Sequence, residues 1–206
     1  MSLDLTLCLV TDPGARLSPV ALAVAAARGG ATMVQLRDKT ASDADIEALA
    51  RAMKAALAPY AVPLIVNDRA EAALRAGADG VHVGQGDMPA GAVRALLGPD
   101  AIIGLSIEDA SQLSAVDWDA VDYLGVGPVR ATASKPGHAA PIGMDGLARI
   151  VAAARRPCIA IGGLGAGDGP ALRRAGAAGV AVVSAICAAP DPEYAARALA
   201  AEWSAP

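Results

Sequence analysis

The sequence has almost no aromatic residues: phenylalanine is absent, and aromatic side chains make up only 2% of the 206 residues. Hydrophobic residues nevertheless account for 54% of the chain, so alanine and the aliphatic side chains must build the core. Near-continuous runs of such residues are typical of parallel strands that are covered on both faces. Because charged residues are only 18% of a strongly apolar chain, the composition excludes a disordered protein.

The sequence also lacks a basic excess and a long apolar run. Lys plus Arg number 17 and Asp plus Glu number 21, a net charge of −4, which argues against nucleic acid as the main partner. No run approaches the roughly 18–20 apolar residues of a membrane span. Residues 1–4 do not begin a basic and then apolar signal peptide, so we expect a cytoplasmic protein.

Cysteine is scarce and has no disulfide or metal-ligand spacing. The three cysteines, Cys8, Cys158 and Cys187, form no C-x-x-C pair, and each lies in an apolar run. Isolated cysteines of this kind are usually small buried hydrophobic residues. The sequence therefore predicts neither a disulfide framework nor a cysteine metal site.

Eight apolar, β-prone runs alternate with segments that mostly have the spacing of alanine-rich helices. The runs are 5–10, 32–36, 63–66, 80–83, 101–105, 121–126, 157–161 and 179–183, and the clearest helices are 20–28, 43–56, 89–97, 144–154 and 192–202. The segments 67–79 and 106–120 are shorter or more polar. The alternation predicts a parallel α/β fold, and eight units favour a single (β/α)8 TIM barrel domain over residues 1–206. A doubly wound open sheet is the alternative.

In such a barrel, functional residues follow the C-terminal ends of the strands. Gln35, Arg37 and Lys39 end the second run, and strand alternation places them on one side. An amide, a guanidinium and an ammonium that converge there favour an oxygen-rich anionic ligand. The alternative is a solvated strand exit in which Asp38 pairs with the basic side chains.

Two carboxylates follow neighbouring runs, Asp68 after the third and Asp87 after the fourth. Together they are suited to one Mg²⁺ ion, which takes one or two carboxylates and completes its shell with phosphates and water. Alternatively, Asp68 caps the next helix and Asp87 shapes a turn. His82 lies between two valines, where a satisfied core histidine is expected. No Ser-His-Asp or Cys-His arrangement is recognisable.

The longest stretch without helix or strand character is 125–138, and loops longer than about 12 residues in compact domains are usually functional. Within it, Thr132, Ser134 and Lys135 supply donors suited to phosphate oxygens, although a plain surface loop is the alternative. Ser106, after the fifth run, offers one more hydroxyl.

Glycines follow the seventh run at 162, 163 and 165, and Ser184 follows the eighth. Barrels often bind a phosphate between these two loops, through backbone N–H groups and a helix N-terminus. The sequence therefore predicts a monophosphate site on one side of the mouth and a metal-bound polyphosphate on the other.

In their order along nearly the whole chain, these motifs resemble the thiamine-phosphate synthase family. The matching motifs are Gln35-x-Arg37-x-Lys39, Asn67-Asp68, Gly80-Val81-His82-Val83-Gly84-Gln85-x-Asp87, Gly104-x-Ser106, Thr132-x-Ser134-Lys135, Ile161-Gly162-Gly163 and Val183-Ser184-Ala185-Ile186. The resemblance implies a transferase that joins 4-amino-5-hydroxymethyl-2-methylpyrimidine diphosphate to hydroxyethylthiazole phosphate and releases pyrophosphate, with Mg²⁺ as cofactor.

The resemblance also implies a role for each matching position. The pyrimidine diphosphate would contact Gln35, Leu36, Arg37, Asp38, Lys39, Asn67, Ser106 and Lys135. The thiazole phosphate would contact Thr132, Ala133, Ser134, Gly163, Val183 and Ser184. Mg²⁺ would be held by Asp68 and Asp87, and catalysis would depend on Arg37, Lys39, Ser106 and Lys135.

Two positions depart from the family pattern. Glu108 stands where the family usually has a histidine, and Arg130 stands where an aromatic residue often follows Gly-Pro-x. We expect Glu108 to be structural and to favour the start of the following segment, as an acid does near a helix N-terminus. Alternatives for the function are a thiazole tautomerase, a non-catalytic thiamine-phosphate binder, and an unrelated phosphate-binding isomerase or epimerase.

Overall fold

Eight parallel strands close into a barrel in the computed structural model, which describes residues 3–134 and 139–204. The strands pair in chain order, and the first also pairs with the last. They are β1 Leu7–Val10, β2 Met33–Leu36, β3 Leu64–Asn67, β4 Gly80–Val83, β5 Ile102–Ile107, β6 Tyr123–Val126, β7 Cys158–Ile161 and β8 Gly179–Val182. The predicted (β/α)8 barrel is thus confirmed, and the open sheet is excluded.

Helices follow most of the strands. They are α1 Pro19–Arg28, α2 Asp43–Leu57, α3 Ala70–Ala76, α4 Ala90–Leu97, α5 Gly143–Ala153, α6 Gly169–Arg174, α7 Ser184–Cys187 and α8 Pro192–Ser204, with short 3-10 helices at Ala58–Tyr60 and Ala110–Ala115. The two polar segments differ: 67–79 contains α3, whereas 106–120 contains the end of β5 and, beyond it, only a 3-10 helix. Within the described residues, no helix is long and apolar enough to cross a membrane.

Side chains before the helices explain where α2 and α8 begin. The Ser42 hydroxyl accepts the Asp45 N–H at 3.2 Å, and the Asp45 carboxylate binds back to Ser42, which forms a capping box. The Asp191 carboxylate accepts the Tyr194 N–H at 3.0 Å, ahead of a helix whose first residue is Pro192. These caps therefore determine the residue at which each helix begins.

The core has two parts, because alternate strand residues face opposite sides of the barrel wall. The inner cluster, built mainly from the strands, contains Leu5, Cys8, Val10, Met33, Ile65, Tyr123, Ile159 and Ala181. The intervening residues, such as Leu9 and Val34, belong to a larger cluster with the helices. As predicted, aliphatic side chains and alanine build nearly all of the larger cluster and five of the eight residues of the inner one.

The three cysteines are buried and free, as the sequence predicts. Burial raises the pKa of the Cys8 thiol to about 12 and that of Cys158 to about 11. Burial likewise raises the pKa of Cys187 to about 11. Because the thiolate is the reactive form, these cysteines are inert core residues.

The narrow barrel requires glycine where β8 meets the chain that enters β1. A Cβ atom at Gly179 would lie 1.6 Å from the Leu5 carbonyl oxygen and 2.9 Å from that of Thr6. Gly179→Ala should therefore lower the free energy of unfolding by roughly 1–3 kcal/mol or more, the usual cost of overpacking. Urea denaturation measures this change.

The matched control is Gly86→Ala, because a Cβ atom at Gly86 meets nothing within 4 Å. Its free energy of unfolding should stay within about 0.5 kcal/mol of the parent. Equal stabilities for the two variants would contradict the close approach at Gly179.

Candidate functional site

A cavity of about 470 Å³ opens at the C-terminal ends of the strands, and its volume suits a small-molecule site. Its floor is apolar and includes Val10, Ile159 and Ala181. Twelve of the residues proposed from the sequence line it: Gln35, Arg37, Lys39, Asn67, Asp68, Asp87, Ser106, Thr132, Ser134, Gly163, Val183 and Ser184. The barrel therefore gathers residues from most of its strands at one mouth.

Three of the proposed residues that the structure describes are not part of this lining. Leu36 is buried in the outer core, since alternation turns it away from its neighbours Gln35 and Arg37. The Asp38 carboxylate accepts hydrogen bonds from Thr40 and Ala41 instead of pairing with the basic side chains, and the bond from the Thr40 hydroxyl lowers its pKa. Ala133 is exposed. Lys135 lies outside the described residues.

Thr11 holds the end of β2 in place, a role that sequence reasoning missed. Its hydroxyl accepts the Arg37 N–H at 2.9 Å and donates to the Arg37 carbonyl at 3.3 Å. Its own N–H donates to the Gln35 carbonyl at 2.9 Å. Because Thr11 is itself buried, it fixes the backbone that carries the guanidinium of Arg37 into the cavity.

Asp68 and Asp87 come together within hydrogen-bonding reach, beside the ammonium group of Lys39. Asp68 has a left-handed backbone with φ of +62°, and its N–H donates to the His82 carbonyl at 2.8 Å. A non-glycine residue held in this region is often part of a functional site. The Asp87 carboxylate accepts the Gly84 N–H at 2.7 Å, so it also shapes the turn, as expected.

The surroundings separate the pKa values of the two carboxyls. Burial raises the pKa of Asp68; the nearby carboxyl of Asp87 adds to this effect, and the ion pair with Lys39 opposes it. Burial acts in the same direction on Asp87, but its hydrogen bonds with Asp68 and the Gly84 N–H outweigh it and lower the pKa. The two carboxyls thus share one neighbouring ammonium group, and their pKa values are shifted in opposite directions.

The carboxylate pair is the metal-binding candidate of this cavity. Among residues 3–134 and 139–204, no group of three or more His, Cys, Asp or Glu could hold a metal ion. Two carboxylates do fit Mg²⁺, which commonly uses one or two and takes its other ligands from phosphate and water. The alternative that Asp68 caps α3 is wrong, since the capping position belongs to Arg69.

Across the cavity, the loops after β6 and β7 lie directly against each other. The Arg130 N–H donates to the Gly162 carbonyl at 3.0 Å. Gly162 and Gly163 have φ of +99° and +65°, and a Cβ atom at Gly163 would lie 2.6 Å from the Ala131 carbonyl oxygen. Both the backbone conformation and the close approach therefore require glycine here.

Arg130 strengthens this contact through an ion pair. Its guanidinium meets both oxygens of Asp168 at 2.8 Å, and the same carboxylate accepts the Gly165 N–H at 2.9 Å. Paired donors of this kind match a carboxylate in geometry. The residue that replaces the family's usual aromatic side chain thus ties the two loops together.

Two backbone N–H groups on this side remain available to a ligand. In the described part of the chain, those of Gly163 and Ser184 donate to no acceptor. Both residues are exposed and line the cavity, beside the part-buried Thr132 and Ser134. Amide and hydroxyl donors suit phosphate oxygens, and the Asp168 carboxylate of the loop after β7 is already paired with Arg130.

His82 and Glu108 both line the cavity. His82 is the buried, hydrogen-bonded residue that was expected, but it also contacts Ser106 at 2.9 Å, which the sequence did not indicate. Glu108 lies just before the following 3-10 helix, and its N–H donates to the Gln112 side chain at 2.8 Å, so the role expected of it at the start of this segment stays a prediction. Asp109 caps the following 3-10 helix, together with Gln112.

The electrostatics of the carboxylate pair predict how Asp68 titrates. Asp87→Asn removes a neighbouring negative charge and should lower the pKa of Asp68. Lys39→Met removes the neighbouring positive charge and should raise it. Carboxyl ¹³C NMR titration of both variants measures these shifts, and an Asp68 pKa that stays unchanged in both would contradict the cluster.

Comparison with known proteins places the chain among close relatives. A family model described as thiamine monophosphate synthase matches residues 7–186. A thiamine-phosphate synthase from Xanthobacter autotrophicus is 52% identical over 200 residues, which cover 96% of this chain and 95% of that protein. One from Azorhizobium caulinodans is 48% identical over 201 residues, which cover 95% and 93% of the two chains.

Two solved structures have the same fold as this chain. Thiamine phosphate pyrophosphorylase from Pyrococcus furiosus superposes with a TM-score of 0.88 at 30% identity, covering 98% of this chain and 96% of that one. A 3-hexulose-6-phosphate synthase, at 22% identity and a TM-score of 0.68, shares the fold alone. From the matched family model and these relatives, the chain belongs to the thiamine monophosphate synthase family.

Proposed function

We propose that this chain is a transferase that condenses 4-amino-5-hydroxymethyl-2-methylpyrimidine diphosphate with hydroxyethylthiazole phosphate. The products are thiamine phosphate and pyrophosphate. The observation that carries the proposal is the division of one cavity into two anion-binding regions. One joins basic side chains to a carboxylate pair, and the other offers backbone N–H and hydroxyl groups. The family is named for thiamine phosphate formation, which supports the same reaction.

The diphosphate binds at the ends of β2, β3 and β4. Arg37 supplies a planar fork of donors and Lys39 a point charge, both suited to phosphate oxygens. Gln35 and Asn67 line the same region and add amide donors. Lys135, outside the described residues, is proposed to complete the basic set from the loop after β6.

Asp68 and Asp87 are proposed to hold Mg²⁺ between them. When bound, the ion neutralises negative charge that develops on the departing diphosphate. Lys39, which now neutralises Asp68, would exchange that partner for a phosphate oxygen. The position of the two carboxyls side by side in the cavity, next to one ammonium group, supports this assignment.

The thiazole phosphate binds on the opposite side, at the ends of β6, β7 and β8. The N–H groups of Gly163 and Ser184 would donate to its oxygens. Thr132, Ser134 and the backbone beside Ala133 and Val183 complete the pocket. The ion pair between Arg130 and Asp168 holds these loops in register, so the donors are preorganised for the ligand.

The reaction is a substitution at the methylene group of the pyrimidine. The C–O bond to the diphosphate breaks, its electron pair leaves with the diphosphate, and the thiazole nitrogen lone pair forms the new C–N bond. Arg37, Lys39 and Lys135 stabilise the charge that develops on the leaving group. The apolar floor formed by Val10, Ile159 and Ala181 limits the access of water to the cation-like carbon.

The partners of the chain in this proposal are these two phosphorylated small molecules. Its action in the cytoplasm stays a prediction from the sequence, as does the extent of one domain over residues 1–206. Nothing in the proposed reaction requires a nucleic acid or a membrane.

A direct assay follows pyrophosphate release with both substrates, with and without Mg²⁺. Release should require both substrates and the metal. Asp87→Asn should lower the rate by about 10²–10³, the usual effect of removing a group that stabilises developing charge. The control is Asp100→Asn, an exposed residue before β5 at the opposite end of the barrel, which should retain the parent rate.

Absence of pyrophosphate release by the parent protein would contradict the proposed function. Isomerisation of the thiazole carboxylate phosphate without the pyrimidine substrate would identify a tautomerase instead. Full activity of Asp87→Asn at limiting Mg²⁺ would contradict the metal site alone.

Ser184→Glu tests the division of the mouth. A carboxylate among the phosphate donors should weaken binding of the thiazole phosphate by about tenfold or more, because like charges repel. Affinity for the pyrimidine diphosphate should stay within about twofold, because its proposed groups lie across the cavity. Calorimetric titration of each ligand separately measures both affinities.

The matched control is Ser184→Gln, which adds the same bulk without charge. It should weaken binding of the thiazole phosphate less than Ser184→Glu does. Equal loss of both ligands in Ser184→Glu would mean that the monophosphate pocket is misplaced.

A further inference from the structure

A chain of three hydrogen-bonded side chains runs from the barrel interior to the cavity. The Tyr123 hydroxyl lies 3.0 Å from His82 Nδ1, and His82 Nε2 lies 2.9 Å from the Ser106 hydroxyl. Tyr123 is fully buried and His82 almost so, whereas Ser106 lines the cavity. The three residues come from β6, β4 and β5, so only closure of the barrel brings them together.

Two glycines make the space for the imidazole ring. A Cβ atom at Gly104 would lie 2.3 Å from His82 Nδ1 and 2.5 Å from the Tyr123 hydroxyl. A Cβ atom at Gly125 would lie 2.7 Å from His82 Cε1. The ring is therefore seated between β5 and β6 in one position, in which its two nitrogens face Tyr123 and Ser106.

The partners available to the Tyr123 hydroxyl determine which atoms donate and which accept in these two hydrogen bonds. In the part of the chain that the structure describes, the Tyr123 hydroxyl has no partner other than His82. Burial raises the pKa of Tyr123 well above its usual range, so the hydroxyl keeps its proton. A buried donor must find an acceptor, and the one available is Nδ1. If Nδ1 accepts, the ring proton of the neutral imidazole is on Nε2.

We propose that His82 is a positioning residue for Ser106: its Nε2–H donates to the serine oxygen and directs the serine proton toward the bound pyrimidine diphosphate. This inference rests on the proposed function, because it names the ligand that Ser106 meets. The serine hydroxyl has no partner other than His82 among the described residues, so its proton remains available to the ligand.

The direction of the hydrogen bond from His82 to Ser106 is opposite to that between a catalytic base and its serine nucleophile. A histidine that activates serine must accept the hydroxyl proton on Nε2, with an acceptor such as a carboxylate at Nδ1–H. Here a phenol occupies the Nδ1 side as a donor, so Nε2 is already protonated. Ser106 is thereby kept as a hydrogen-bond donor and does not attack the diphosphate ester.

A double-mutant cycle tests whether His82 acts through Ser106. His82→Leu should lower kcat/KM for the pyrimidine diphosphate by about 10- to 100-fold, as loss of an orienting partner does. The KM for the thiazole phosphate should stay within about twofold, because the two substrates bind apart. His82→Gln, which can still donate from its amide nitrogen, should recover most of the loss.

In a Ser106→Ala background, His82→Leu should add less than about a twofold loss, since coupled residues are not additive. Losses that multiply in the double variant would overturn the proposal, and so would an equal rise in KM for both substrates. The parent protein assayed alongside decides the proposed function separately, because a parent that releases no pyrophosphate fails on that point alone.

The ring tautomer is measured on the ligand-free protein and needs no activity. The chain has only two histidines, so selective ¹⁵N labelling gives signals from two imidazole rings, with two nitrogens each, and His138→Gln assigns them. His82 should be protonated on Nε2 and unprotonated on Nδ1. Tyr123→Phe, which removes the donor, should increase the Nδ1-protonated form. A parent ring protonated on Nδ1, or on both nitrogens, would overturn the proposal.

Discussion

Closure of eight parallel strands around a narrow interior is the constraint on which the rest of this structure depends. Side chains must fill that interior without colliding, so glycine is required where walls approach, as at Gly179 against the Leu5 carbonyl and at Gly104 beside His82. A chain nearly without aromatic residues fits this space, because most of its inner cluster is aliphatic. Closure also brings every strand's C-terminal end to one mouth, where residues distant in sequence meet.

The two sides of the cavity at the C-terminal ends of the strands differ in their charged groups. On the side of β2 to β4, carboxylates stand beside basic groups, and Thr11 and the turn at Gly84 fix the backbone that carries them. On the side of β7 and β8, glycine loops present backbone donors, and the carboxylate of Asp168 there is paired with Arg130. The proposed reaction would use these different surroundings in a single cavity for a metal-bound diphosphate and a monophosphate, and it needs no protein nucleophile.

The alternation and the order of the strands were enough to predict which side chains meet at the cavity. Strand alternation was enough to place Gln35, Arg37 and Lys39 on the cavity side, and strand order was enough to bring Asp68 near Asp87. Contacts between distant elements have no such signal. The bond between His82 and Ser106, and the ion pair between Arg130 and Asp168, exist only once the barrel has closed. The segment after β5 forms a 3-10 helix, and its Leu113 and Val116 still pack against the core.

The most direct test of the divided mouth is a crystal structure of the protein with Mg²⁺, pyrophosphate and thiamine phosphate. We expect pyrophosphate and the metal to lie against Arg37, Asp68 and Asp87, and the phosphate of thiamine phosphate to lie at the N–H groups of Gly163 and Ser184. The pyrimidine ring should lie next to Ser106. Density for the monophosphate at the carboxylate pair, or for pyrophosphate at the glycine loops, would contradict this division of the cavity into two anion-binding regions.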